Sequence, residues 1–235
     1  SPGRARTRRA ENDPMKNATR ASILKAVAIL LYAAVVLPFL RSGVPGSYDR
    51  YLVYNYIILF FVPLLLITAV FRDQPEEYAV GPGDWRAALR FFVLLYVPTL
   101  IGLAIAARWP AFQAYYPINK MAGYGRQEFL FWEVAYNGFY MFSWEFFFRG
   151  FLLFGLRPAL GNGSLHLQAI VFGVMHWGKP MPEFFASFLT GYVLGIVALR
   201  SRTFLPTFAL HAACAASFDF LVLAWAGRLG PLLGL

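Results

Sequence analysis

The sequence predicts an all-α, polytopic transmembrane helical bundle of about seven spans. Two observations carry that prediction. The chain has 235 residues, of which 59% are hydrophobic and only 14% charged, whereas a soluble domain carries about 25% charged residues. The apolar residues also gather into seven segments, near the roughly 20-residue length that a spanning helix needs. A net charge of +9 reads, in such a chain, as basic loops that set topology and touch an anionic lipid bilayer. Nucleic acid is not an expected partner. The single cysteine, Cys214, rules out an internal disulfide.

Residues 1–20 are polar and rich in Arg, and read as a disordered basic cytoplasmic tail. Residues 21–235 read as one membrane domain, without an internal repeat, whose motif-bearing core is 127–225. The first apolar segment, 21–40, lacks a small-residue cleavage site at its end and reads as a retained span. The next two are 51–71 and 87–107. Pro38 and Pro63 fall inside the first two spans, where membrane helices tolerate proline. The fourth segment, 127–156, is long. The fifth, 164–177, is short, and 182–199 and 204–225 complete the set. Most Lys and Arg residues lie on the side of the N-terminus: in the tail, in the 72–86 connection, near Arg157, and at Arg200 and Arg202. That bias predicts a cytoplasmic N-terminus.

Polar residues inside these spans are few and specific. The fourth contains Ser143-Trp144-Glu145-Phe146-Phe147-Phe148-Arg149-Gly150. Glu145 and Arg149 are four residues apart, so they share a helix face. An ionisable group at membrane depth costs roughly 2.5–3.5 kcal/mol on insertion scales, and this helix accepts that cost twice. The fifth span carries Phe172-Gly173-Val174-Met175-His176, and the seventh carries His211 and Asp219. Counted from the cytoplasmic ends at about 1.5 Å per residue, Glu145 lies roughly 16 Å deep, His176 roughly 18 Å, His211 roughly 11 Å and Asp219 roughly 22 Å. Three helices therefore offer an acid, two imidazoles and a second acid in one slab.

These motifs resemble the CPBP family of intramembrane proteases (CAAX protease and bacteriocin-processing, Abi). That family carries Glu-Glu-x-x-x-Arg, Phe-x-x-x-His and His-x-x-x-Asn on successive membrane helices. Glu145-x-x-x-Arg149 matches the second Glu and the Arg, Phe172-x-x-x-His176 matches the second motif, and His211 opens the third. Two positions depart: Trp144 stands at the first Glu and Ala215 at the Asn. The Trp-Glu pair is similar to a myxosortase-like branch of sorting proteases. Asp219, one turn beyond Ala215, is the candidate replacement for the missing polar group.

The resemblance implies an intramembrane endopeptidase of a bacterial inner membrane, cleaving a membrane protein or lipid-modified peptide near its C-terminus. Glu145 with His176 would polarise the water, His211 would stabilise the oxyanion or move a proton, Asp219 would orient His211 directly or through water, and Arg149 would hold Glu145 and the helix position. No cofactor is required by this reading. Zinc is the alternative, because Glu145, His176, His211 and Asp219 are suitable ligand types, although no His-Glu-x-x-His stretch accompanies them. Two other readings stand beside hydrolysis: a catalytically inactive scaffold or immunity protein of the same fold, and a proton-coupled carrier using the same residues as a relay.

Overall fold

The computed structural model describes residues 20–42 and 47–234, so the expected tail lies outside the described residues except for Arg20, which opens the first helix. Every regular element among the described residues is helical. Seven helices form the body: α1 (Arg20–Arg41), α2 (Tyr48–Phe71), α3 (Trp85–Ala106), α4 (residues 126–160), α5 (Gly163–Val174), α6 (Met181–Ser201) and α7 (Leu205–Trp225). All seven apolar segments of the sequence therefore become helices. Five of them, α1, α2, α3, α6 and α7, are long and apolar enough to cross a membrane by length and composition. The α5 helix has only 12 residues, about 18 Å, too short to cross alone. It ends before His176 because the chain reverses through Gly178, whose φ of +93° suits glycine.

The α4 helix is central. α1 packs along its C-terminal part, α2 and α7 along its middle, and α5 beside its end. Its core turn, Phe146, Phe147, Phe148 and Phe151, has no exposed surface. The Phe146–Phe148 stripe is thus interior packing and not lipid-facing. Gly150 sits where this turn meets the 75–78 connection: a Cβ there would lie 2.8 Å from the Tyr78 carbonyl oxygen. Two stretches of α4, Trp132–Asn137 and Phe146–Leu152, form wider π-type turns. Such turns shift the register of everything beyond them and are frequent at functional sites.

The short α5 is held against α6 by small residues. A Cβ on Gly191 would lie 3.1 Å from the Ala169 Cα, and one on Gly195 would lie 2.4 Å from Leu165. Close approach of this kind is how membrane helices gain van der Waals contact without a hydrophobic driving force. Gln168 of α5 donates to the Gly191 carbonyl at 2.9 Å and seals the contact. The α3 helix is peripheral, packing mainly on α7, where Tyr96 and Ser217 share a 2.7 Å hydrogen bond.

Candidate active site

Glu145 and Arg149 lie on α4 with no exposed surface. His211 of α7 reaches them from the side, its Nδ1 2.7 Å from Glu145 Oε1. Arg149 Nε stands 3.2 Å from Glu145 Oε2. One carboxylate therefore holds an imidazole with one oxygen and a guanidinium with the other. The Arg149 guanidinium also lies 4.1 Å from the centre of the Phe172 ring, a cation–π distance. Thr207, one turn before His211, is fully buried and bonds back to the Phe204 carbonyl at 2.7 Å.

Phe172 organises the site. Its ring centre is 4.6 Å from that of His176 and 5.9 Å from that of His211. His176 Nδ1 stands 2.8 Å from the Phe172 carbonyl oxygen. A carbonyl only accepts, so Nδ1 carries the proton and Nε2 keeps its lone pair. The same logic points the His211 Nδ1 proton at the Glu145 carboxylate, so that in the neutral ring Nε2 is the acceptor. The two imidazoles thus flank one aromatic ring with like tautomers.

Asp219 is placed differently from the sequence expectation. The Nδ1 partner of His211 is Glu145, and the Asp219 carboxyl lies beside that of Glu133 on α4. Asn137 donates to Glu133 Oε2 at 2.7 Å, and Glu133 Oε1 has no hydrogen-bond partner among the described residues. His211 and Asp219 are two turns apart on one helix, and each meets α4 at its own level. Glu133 is therefore the α4 acid that Asp219 neighbours. Among the described residues no three His, Cys, Asp or Glu side chains form a group that could hold a metal ion. The four residues named as zinc ligands do not make a matching donor set.

Trp144, at the position of the family's first Glu, faces α2. Its Nε1 donates to Asn55 Oδ1 at 2.9 Å, and its ring stacks on Phe148 with centres 5.5 Å apart. Asn55 is fully buried and donates to the Tyr51 carbonyl at 2.7 Å. Sequence reasoning passed over Asn55. A lone amide within an apolar span was the available signal, since such groups seek partners.

Residues 127–217 match the model of a protein family described as type II CAAX prenyl endopeptidase Rce1-like. Over that stretch the chain is similar to that family. The match contains Glu145, Arg149, Phe172, His176 and His211, and stops before Asp219. It agrees with the CPBP resemblance read from the motifs, and at the level of the family it points to a CAAX-type membrane protease. No curated protein and no solved structure matches the chain significantly. The matched segment covers α5, α6, most of α4 and more than half of α7, the helices that carry the polar site.

Proposed function

We propose that this protein is an intramembrane endopeptidase that cleaves a membrane-associated protein or lipid-modified peptide near its C-terminus. The observation that carries the reading is the 2.7 Å contact between His211 Nδ1 and Glu145 Oε1, with Arg149 behind it. A carboxylate on Nδ1 orients an imidazole and stabilises the imidazolium that forms when Nε2 takes a proton. Glu145 is fully buried, with one oxygen bonded to His211 and the other in charge contact with Arg149 Nε at 3.2 Å. His211 is therefore the better candidate for the general base, with Glu145 acting through it.

In this scheme His211 Nε2 removes a proton from water as the water oxygen attacks the scissile carbonyl carbon. His176 Nε2 accepts a hydrogen bond from the second water hydrogen and fixes its direction. As the C–N bond breaks, the proton on His211 passes to the departing amine nitrogen, and the carboxyl product and free amine leave. Trp144 before Glu145 supports a myxosortase-like branch, and the basic residues near the N-terminus support a cytoplasmic N-terminus in a bacterial inner membrane.

The test uses the purified full chain in nanodiscs with a fluorogenic prenylated peptide. Glu145→Gln and His211→Ala should each lower turnover by about 10²–10⁴-fold, the range of a positioned acid–base group, with normal protein yield. Full cleavage by either variant would remove the assignment. If the wild-type chain does not cleave but still rescues a cellular phenotype together with both variants, the scaffold reading takes its place.

A further inference from the structure

His176 lies past the last residue of α5, in the turn that leads to α6. Beyond a helix end, the ladder of main-chain hydrogen bonds no longer holds a residue on both sides. The His176 carbonyl accepts from the Lys179 amide at 3.1 Å, and Gly178 at φ +93° then reverses the chain. Something outside the turn must hold it if the imidazole is to keep one position.

Three side chains do so. Glu183, in the first turn of α6, accepts from Lys179 Nζ at 2.7 Å. The Tyr116 hydroxyl lies 2.7 and 2.8 Å from the two Glu183 oxygens, and Lys179 Nζ donates to that hydroxyl at 3.1 Å. Tyr116 belongs to the 107–125 connection and is anchored twice. Its ring meets Phe218 of α7 edge-on, with centres 5.1 Å apart, and its carbonyl accepts from Arg228 at 3.3 Å. Phe218 lies two turns beyond His211 on α7. The triangle thus joins the turn carrying His176 to the helix carrying His211.

Taking the hydrolytic reading as given, we infer that Tyr116, Glu183 and Lys179 form a strut that positions His176 against His211. A purely structural ion pair is the competing account. The Lys179 and Glu183 side chains are 24% and 23% exposed, and partly exposed pairs of this kind contribute little to stability. The buried phenol makes the arrangement directional, since it fixes both charged groups to one point on α7. Burial, and then the neighbouring Glu183 carboxylate, push the Tyr116 hydroxyl well above the usual tyrosine range. It therefore remains a donor throughout the working pH range.

Tyr116→Phe removes the hydroxyl and keeps the ring. The full chain in nanodiscs should show kcat lowered by about 10–100-fold, the scale of a misplaced catalytic group, with KM within about twofold and an unchanged melting midpoint. A second readout does not depend on cleavage: site-resolved modification of histidines by diethylpyrocarbonate. His176 should react several times faster in Tyr116→Phe and Glu183→Gln, with exposed His166 as the unchanged internal reference. Unchanged His176 reactivity overturns the strut. So does a uniform rise at His176 and His211 with a lowered melting midpoint, which marks a structural role. If the wild-type chain fails to cleave, the hydrolytic reading falls, while the histidine reactivity still decides whether the strut holds His176.

Discussion

The α4 and α7 helices meet at two polar levels, and the levels are built from opposite chemistry. At one, Glu145 faces His211 and Arg149. At the other, about 18 Å further along α4 by helix rise, Glu133 faces Asp219, with Asn137 as a donor. The first level joins an acid to two basic groups, so each charge has a partner in a low-dielectric wall. It also leaves the His211 Nε2 free to act. The second brings two acids together, with a single amide donor on Glu133. Both levels fasten the same helices. Only the first includes an imidazole, and its ring neighbour Phe172 also contacts His176.

The largest effect should come from Arg149→Met. It leaves the Glu145 charge buried without its guanidinium, and breaking a buried pair in this way costs about 3–5 kcal/mol. The expected outcome is a chain that accumulates poorly and melts far lower in detergent. A melting midpoint equal to wild type would show that Arg149 is not what keeps Glu145 within the wall.

Next is Trp144→Phe, which keeps most of the ring and removes the donor to Asn55. An unsatisfied buried amide costs about 1–3 kcal/mol, so the melting midpoint should drop by a few degrees while turnover per folded molecule holds. A fall in turnover without loss of stability would instead place Trp144 in the chemistry.

Asp219→Asn should have the smallest effect. The amide can donate to Glu133, so the second level persists and turnover should stay within about threefold of wild type. Should turnover match that of His211→Ala, the separation of the two levels would collapse, and Asp219 would return to the site.

Much of the site was legible because intramembrane polarity is expensive and therefore sparse. Glu145, Arg149, His176 and His211 stood out among apolar neighbours, and the i,i+4 spacing of Glu145 and Arg149 already implied contact. The seven apolar segments likewise appeared as helices with bounds shifted by a few residues. The weakness of α5 as a span was visible in its length. Asp219 was misplaced for a definable reason. Two residues on one helix were assigned to one cavity from depth alone, but the partner helix has its own register. The π-type turns of α4 alter which of its residues face α7, and nothing in a 3.6-residue count anticipates them. Tyr116 was missed because tyrosine in a connecting loop carries no distinctive signal until its partners are known.

The sequence by itself determined the class of protein, the order of its helices and the short roster of polar groups, because burial in a membrane restricts both length and composition. Tertiary structure alone decided which of those groups pair. Partners such as Glu145 and His211 lie 66 residues apart in the chain. Their meeting depends on helix rotation, π-type turns and the glycine contacts that set how closely helices approach. These are properties of packed surfaces, to which no single segment holds the key.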